Sequence, residues 1–176
     1  MTDKTTTPST ACSRAYETDA DGLTHWTETH ADAWIGLLET HKQLTRALDA
    51  ELIVQHGLSL SALELLARLA AAENRQLHLS ALAAASGLSL SRVSRVIDAL
   101  VDRKLVARLA CPTDARAVHA QISDEGLALV RNAQATHFAS VQAAFFDQLR
   151  DDEIATLARV FGRFAPRAAG QCDAAG

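Results

Sequence analysis

The run Ser89-Leu-Ser-Arg-Val-Ser-Arg-Val-Ile-Asp-Ala-Leu100 interleaves hydroxyl and guanidinium side chains with apolar ones. A guanidinium is a planar fork that can hold the O6 and N7 of guanine together, and a serine hydroxyl donates or accepts at bases and phosphates. Wound as a helix, the run places Val93, Val96, Ile97 and Leu100 on one face. Ser91, Arg95, Asp98 and Asp102 fall nearly opposite, with Arg92 and Ser94 at the flanks. Ser89 stands where a helix cap belongs, and the positive end of the helix favours phosphate. The two acids lie toward the C-terminal end and are expected to point away from any phosphate backbone. A second candidate group follows. Arg108 precedes a loop that carries Asp114 and Arg116; Arg116 has the reach to enter a narrow minor groove, with Asp114 beside it to orient the guanidinium. A solvated amphipathic helix and a local surface ion pair are the plain alternatives for these two groups.

The flanking sequence supplies elements that would hold both groups. Residues 1–22 are rich in Thr, Ser, Ala and Asp without an apolar period and are expected to be a disordered tail. Residues 23–57 read as a first helix from about Thr24, with Trp34, Leu37, Leu38, His41, Leu44, Leu48 and Leu52 in one stripe and Gly57 as its stop. Within residues 58–122, Ser59 caps a helix with the row Leu63, Leu66, Leu69; Gln76–Leu79 is a short strand; Ser80 caps a small Ala-rich helix that ends at Gly87. Ser89 then opens the Ser/Arg helix. Helix, tight Gly turn, helix is the helix-turn-helix arrangement. Val106–Leu109 and Val118–Ile122 make a β-hairpin wing around a loop containing Pro112. Residues 123–168 read as two helices. The first, from the Ser123 cap with Glu125 in its first turn, is expected to run about 27 residues, roughly 40 Å. Residues 169–176 are expected to be a second disordered tail. The fold class is therefore mainly α with a small β wing: a winged helix-turn-helix carrying N- and C-terminal helices. A helix that long outreaches the core of one winged unit, so the terminal helices are expected to pair with a second copy.

Charge points to the same middle segment. From Gln76 to Ile122 there are six Lys/Arg and three acids, a balance of +3, which leaves −7 on the remainder of a chain whose net charge is −4. A basic centre in an acidic frame fits a polyanionic partner. Several classes are disfavoured. Cys12, Cys111 and Cys172 are far apart and form no CxxC, so neither a disulfide framework nor a zinc site is expected. The seven histidines include no HxxxH or HExxH pair. No GxSxG, P-loop or GxGxxG occurs, so no enzyme and no cofactor are expected. With no apolar run long enough to span a bilayer and no evident signal peptide, a cytoplasmic location is the expectation.

The runs Leu79-Ser-Ala-Leu-Ala, Leu88 to Leu100, Leu105-Val-Ala-Arg, Cys111-Pro-Thr-Asp-Ala-Arg and Ile122-Ser-Asp-Glu-Gly resemble the MarR family of bacterial regulators over about residues 30 to 165. The resemblance implies a homodimer on a pseudopalindromic operator in double-stranded DNA, usually a repressor released by a small-molecule effector or by oxidation. It implies that Ser89, Ser91, Arg92, Ser94 and Arg95 meet the major groove and that Asp114 and Arg116 are the wing pair. Effectors in this family commonly sit between the dimer helices and the winged helix, where Trp26, His30, Trp34 and His41 of the first helix are candidate lining residues; core or dimer packing is their plainer role. Cys111, between Arg108 and Arg116, is a candidate redox residue or an inert wing thiol. A winged helix that binds protein instead of DNA is the remaining alternative. Three departures stand out: Lys104 where the family favours Gly at a positive-φ turn, Ala115 in place of a frequent basic residue, and Ser123 for the usual Thr.

Overall fold

The computed structural model describes residues 14–110 and 118–164. They fall into two compact units, Met1–Gln43 and Leu44–Gly176, with the first helix passing from one to the other.

In the first unit, β1 (Tyr16–Thr18) and β2 (Thr24–Trp26) form an antiparallel hairpin, followed by helix α1 (Glu28–His56). This corrects two expectations: residues 14–22 are not a structureless tail, and the helix starts at Glu28, not Thr24. The causes are local. The Asp19 carboxylate accepts the backbone N–H groups of Asp21 (3.0 Å) and Leu23 (2.9 Å), fixing an Asx-type turn. Gly22 takes φ +81°. Tyr16 and Trp26 then meet edge to face across the strands, ring centroids 6.3 Å apart.

The second unit holds the winged helix. Helix α2 (Leu60–Ala71) is capped by Ser59, whose hydroxyl accepts from the Ala62 N–H, and buries Leu63, Leu65, Leu66 and Leu69. Strand β3 (Gln76–His78) leads directly into α3 (Leu79–Ser86), so His78, not Ser80, occupies the capping position, and it makes no side-chain cap bond. Gly87 ends α3 at φ +67°. The Ser89 hydroxyl accepts from the Arg92 N–H and opens α4 (Leu90–Asp102), which buries Val93, Ile97 and Leu100. Strands β4 (Val106–Ala110) and β5 (Val118–Ile122) complete a sheet of order β3-β5-β4. Leu52, Leu82, Ala120, Val130 and Ala133 close the core beneath it, none more than 2% exposed.

Helix α5 (Asp124–Ala144) starts on the Ser123 cap but spans 21 residues, roughly 31 Å, not the expected 27. Phe145 leaves helical geometry at φ −127°, ψ −61°, and a turn at Phe146–Gln148 follows, held by Gln142 Nε2 donating to Asp147 Oδ1 at 2.6 Å. Helix α6 (Asp151–Phe161) then begins with the Glu153 carboxylate accepting the Arg150 N–H. The apolar stripes outside the winged helix stay uncovered within one chain. Trp34, Leu37 and Leu38 of α1, Phe138 of α5 and Phe161 of α6 are each more than 40% exposed, and α6 buries none of its residues. Among the described residues no single helix is long and apolar enough to cross a membrane.

Candidate nucleic-acid interface

The α4 face expected from the spacing is present. Ser89, Ser91, Arg92 and Arg95 are exposed on the first turns, while Val93 and Ile97 are fully buried behind them. The Ser89 and Ser91 hydroxyls lie 3.2 Å apart. Arg95 Nε donates back to the Ser91 carbonyl at 3.4 Å, and an Arg92 Nη donates to the Ser61 hydroxyl on α2 at 3.4 Å. These are long bonds to neutral acceptors on exposed groups, so both guanidinium groups can exchange them for a ligand's oxygens at little cost.

Ser94 and Arg108, both candidate DNA contacts in the sequence, are paired with each other. One Arg108 Nη donates to the Ser94 hydroxyl (2.8 Å) and carbonyl (3.3 Å) and lies 2.8 Å from Asp98 Oδ1. Ser94 is half-buried by this contact. The arrangement also explains the orientation of Asp98: the carboxylate turns to the base of the wing, where a cation meets it. Asp114, Arg116 and Cys111 lie outside the described residues.

Sequence reasoning overlooked Arg103. It sits just past α4, and its Nη atoms donate to the Gly57 carbonyl (2.6 Å) and the His56 carbonyl (3.3 Å), neutralising the negative end of α1. With Arg92 and Arg95 it borders a concavity of about 490 Å³ at the capped N-terminus of α2, and no acid lines it. The signal in the sequence was a third arginine eight residues after Arg95, but its partners lie more than 40 residues away.

The four candidate effector residues are divided between β2 and α1. Trp26 is on β2, not on the first helix; His30 Nδ1 lies 2.7 Å from the Thr27 hydroxyl; Trp34 and His41 are exposed along α1. A second concavity, about 560 Å³, lies between the end of α1 and α5, lined by Glu51, Gln55, Thr136 and Ser140 and by none of those four.

Two turns carry close-packed geometry. Lys104 adopts φ +61°, the conformation expected at this position. Its carbonyl accepts the Ser123 hydroxyl at 2.9 Å, joining the end of α4 to the start of α5. Gly126 is packed so tightly that a Cβ there would press on the Leu105 carbonyl oxygen and stand 2.8 Å from Ile122 Cγ1.

Comparison with known proteins agrees with this architecture. The MarR family model matches residues 56–117. The chain is similar to AbsC, a MarR family transcriptional regulator from Streptomyces coelicolor: 31% identity, TM-score 0.74, covering 80% of this chain and 95% of that one. It is similar also to Sco3205 of the same organism, solved in complex with DNA, at 28% identity and TM-score 0.76 over 82% of this chain and 91% of that one. MarR from E. coli shares the fold at 22% identity and TM-score 0.61, over 74% and 93% of the two chains. No curated protein matches significantly. An identity of 31% across nearly all of AbsC, on top of a winged helix-turn-helix built from the same segments, establishes that the chain belongs to the MarR family of transcriptional regulators.

Proposed function

We propose that the protein is a dimeric, sequence-specific regulator that lays α4 of each chain in the major groove of a pseudopalindromic operator. The observation that carries the reading is the acid-free, exposed set Ser89, Ser91, Arg92 and Arg95 on the first turns of α4, with Asp98 turned away to Arg108. Arg95 and Ser91 stand on the outward face to meet base edges. Arg92, Arg103 and the N-terminus of α2 favour phosphate. Arg116, with Asp114, is assigned to the minor groove through the wing. The complex of Sco3205 with DNA supports the partner.

The exposed apolar stripes of α1 and α6 support the dimer, because a single chain leaves them in water and a second copy covers them symmetrically. Repression, with release by a small-molecule effector, is the sign the family resemblance supplies. No enzymatic role is proposed.

Selection of bound sequences from a random duplex library tests this reading. An inverted repeat with half-site centres about 10 bp apart, or a multiple of that, is expected. Enrichment of no sequence, or of a single unrepeated half-site bound by a monomer, contradicts it.

A further inference from the structure

His78 and His119 are direct cross-strand partners in β3 and β5, and their imidazole rings stack with centroids 3.6 Å apart and planes tilted by 38°. Strand alternation puts both on the sheet face opposite Leu77 and the fully buried Ala120. The cross-strand rows on this outer face are His78, His119 and Leu109, then Gln76, Gln121 and Ala107. Neither row contains an acid or a Lys/Arg, so no ion pair within the strands competes for the imidazoles. Both rings are half-buried: held in place, yet open to solvent.

We infer that His78 and His119 form a site for a divalent transition-metal ion of the zinc, nickel or copper type, each ring supplying one nitrogen. The lone pair of an imidazole nitrogen lies in its ring plane, and two planes tilted by 38° converge toward one edge of the stack. The torsion that turns an imidazole is soft, and a rotation that carries one nitrogen of each ring to that edge and widens the tilt brings both to the bonding distance of about 2.0–2.1 Å from one ion. Water fills the remaining positions. The donor set selects the class: imidazole suits zinc, nickel and copper, whereas calcium and magnesium require oxygen ligands that these rows lack. Among the described residues no third His, Cys, Asp or Glu joins the pair, so the site is weaker than a structural zinc centre.

The position gives an ion something to do. His78 leads straight into α3, and β5 leads through Ser123 into α5. An ion bridging the two rings therefore clamps the first helix of the helix-turn-helix to the wing strand. This inference does not depend on the DNA reading, and its test contains no DNA.

The full-length protein is titrated with Zn²⁺ and Ni²⁺ by calorimetry and thermal melting, beside His78→Gln, His119→Gln and the hairpin control His25→Gln. One ion per chain and a raised Tm are expected in the parent and in the control, and both are lost in either His78→Gln or His119→Gln. Retention of binding in either of those variants overturns the site, as does absence of binding to the parent. Because a variant in a short strand can misfold, Cu²⁺ electron paramagnetic resonance on the parent gives an independent reading: two coupled imidazole nitrogens support the pair, and one or none overturns it.

Discussion

The Arg108 guanidinium lies 2.8 Å from the Asp98 carboxylate, and through this contact the first wing strand is latched to the middle of α4. The Asp98 side chain is 59% exposed, which limits the Coulomb contribution. Arg108 Nε, however, is buried and has no partner among the described residues, so the guanidinium depends on Asp98 and Ser94 for its hydrogen bonds. Asp98→Ala is expected to lower the unfolding free energy by about 1 kcal/mol. It should weaken DNA binding equally for all sequences without changing the salt dependence, because no phosphate contact is lost. Urea titration and fluorescence anisotropy check both. Tighter DNA binding with unchanged stability would show that Asp98 faces phosphate and not the wing.

Gly126→Ala tests the packing where α5 begins. The added methyl would meet the Leu105 carbonyl oxygen and Ile122 Cγ1, backbone and core atoms that have little room to yield. A loss of about 1–3 kcal/mol is expected in denaturant unfolding. A change within about 0.5 kcal/mol, the range of an ordinary surface substitution, would contradict the tight approach.

The parts of this fold legible in the sequence are those fixed by short-range chemistry. Ser59, Ser89 and Ser123 cap helices because a hydroxyl reaches an N–H three residues on, and Gly87 stops α3 because glycine takes the left-handed conformation without strain. The buried face of α4 follows from its spacing alone. What was hidden depended on distance or on balance. The Arg103 contact to Gly57 and the Arg75–Asp124 ion pair each join residues more than 40 positions apart. The break at Phe145 was invisible because the apolar period continues through it to Leu149; side-chain hydrogen bonds and a turn, not loss of the stripe, end the helix. The hairpin at Tyr16–Trp26 has strands of three residues each, too short for an alternation to register.

Lys104→Gly should stabilise the protein. A side chain in the left-handed region costs about 1–2 kcal/mol, and glycine returns part of that gain as unfolded-state entropy. A net increase of about 0.5–1 kcal/mol in unfolding free energy is expected, measured without DNA so that the lost charge plays no part. A destabilised variant would mean that Lys104 contributes contacts beyond its carbonyl bond to Ser123.

The claim that α4 reads DNA is tested most directly by binding to duplex as salt is raised, with Arg95→Ala beside the parent chain. A DNA-binding α4 predicts that the logarithm of the binding constant falls linearly with the logarithm of salt, by about 0.9 per phosphate neutralised. It also predicts that Arg95→Ala loses about 1–3 kcal/mol of discrimination at one base position in each half-site. Uniform loss across all sequences would move Arg95 from the bases to the phosphates. No binding to any duplex at low salt would contradict the central claim.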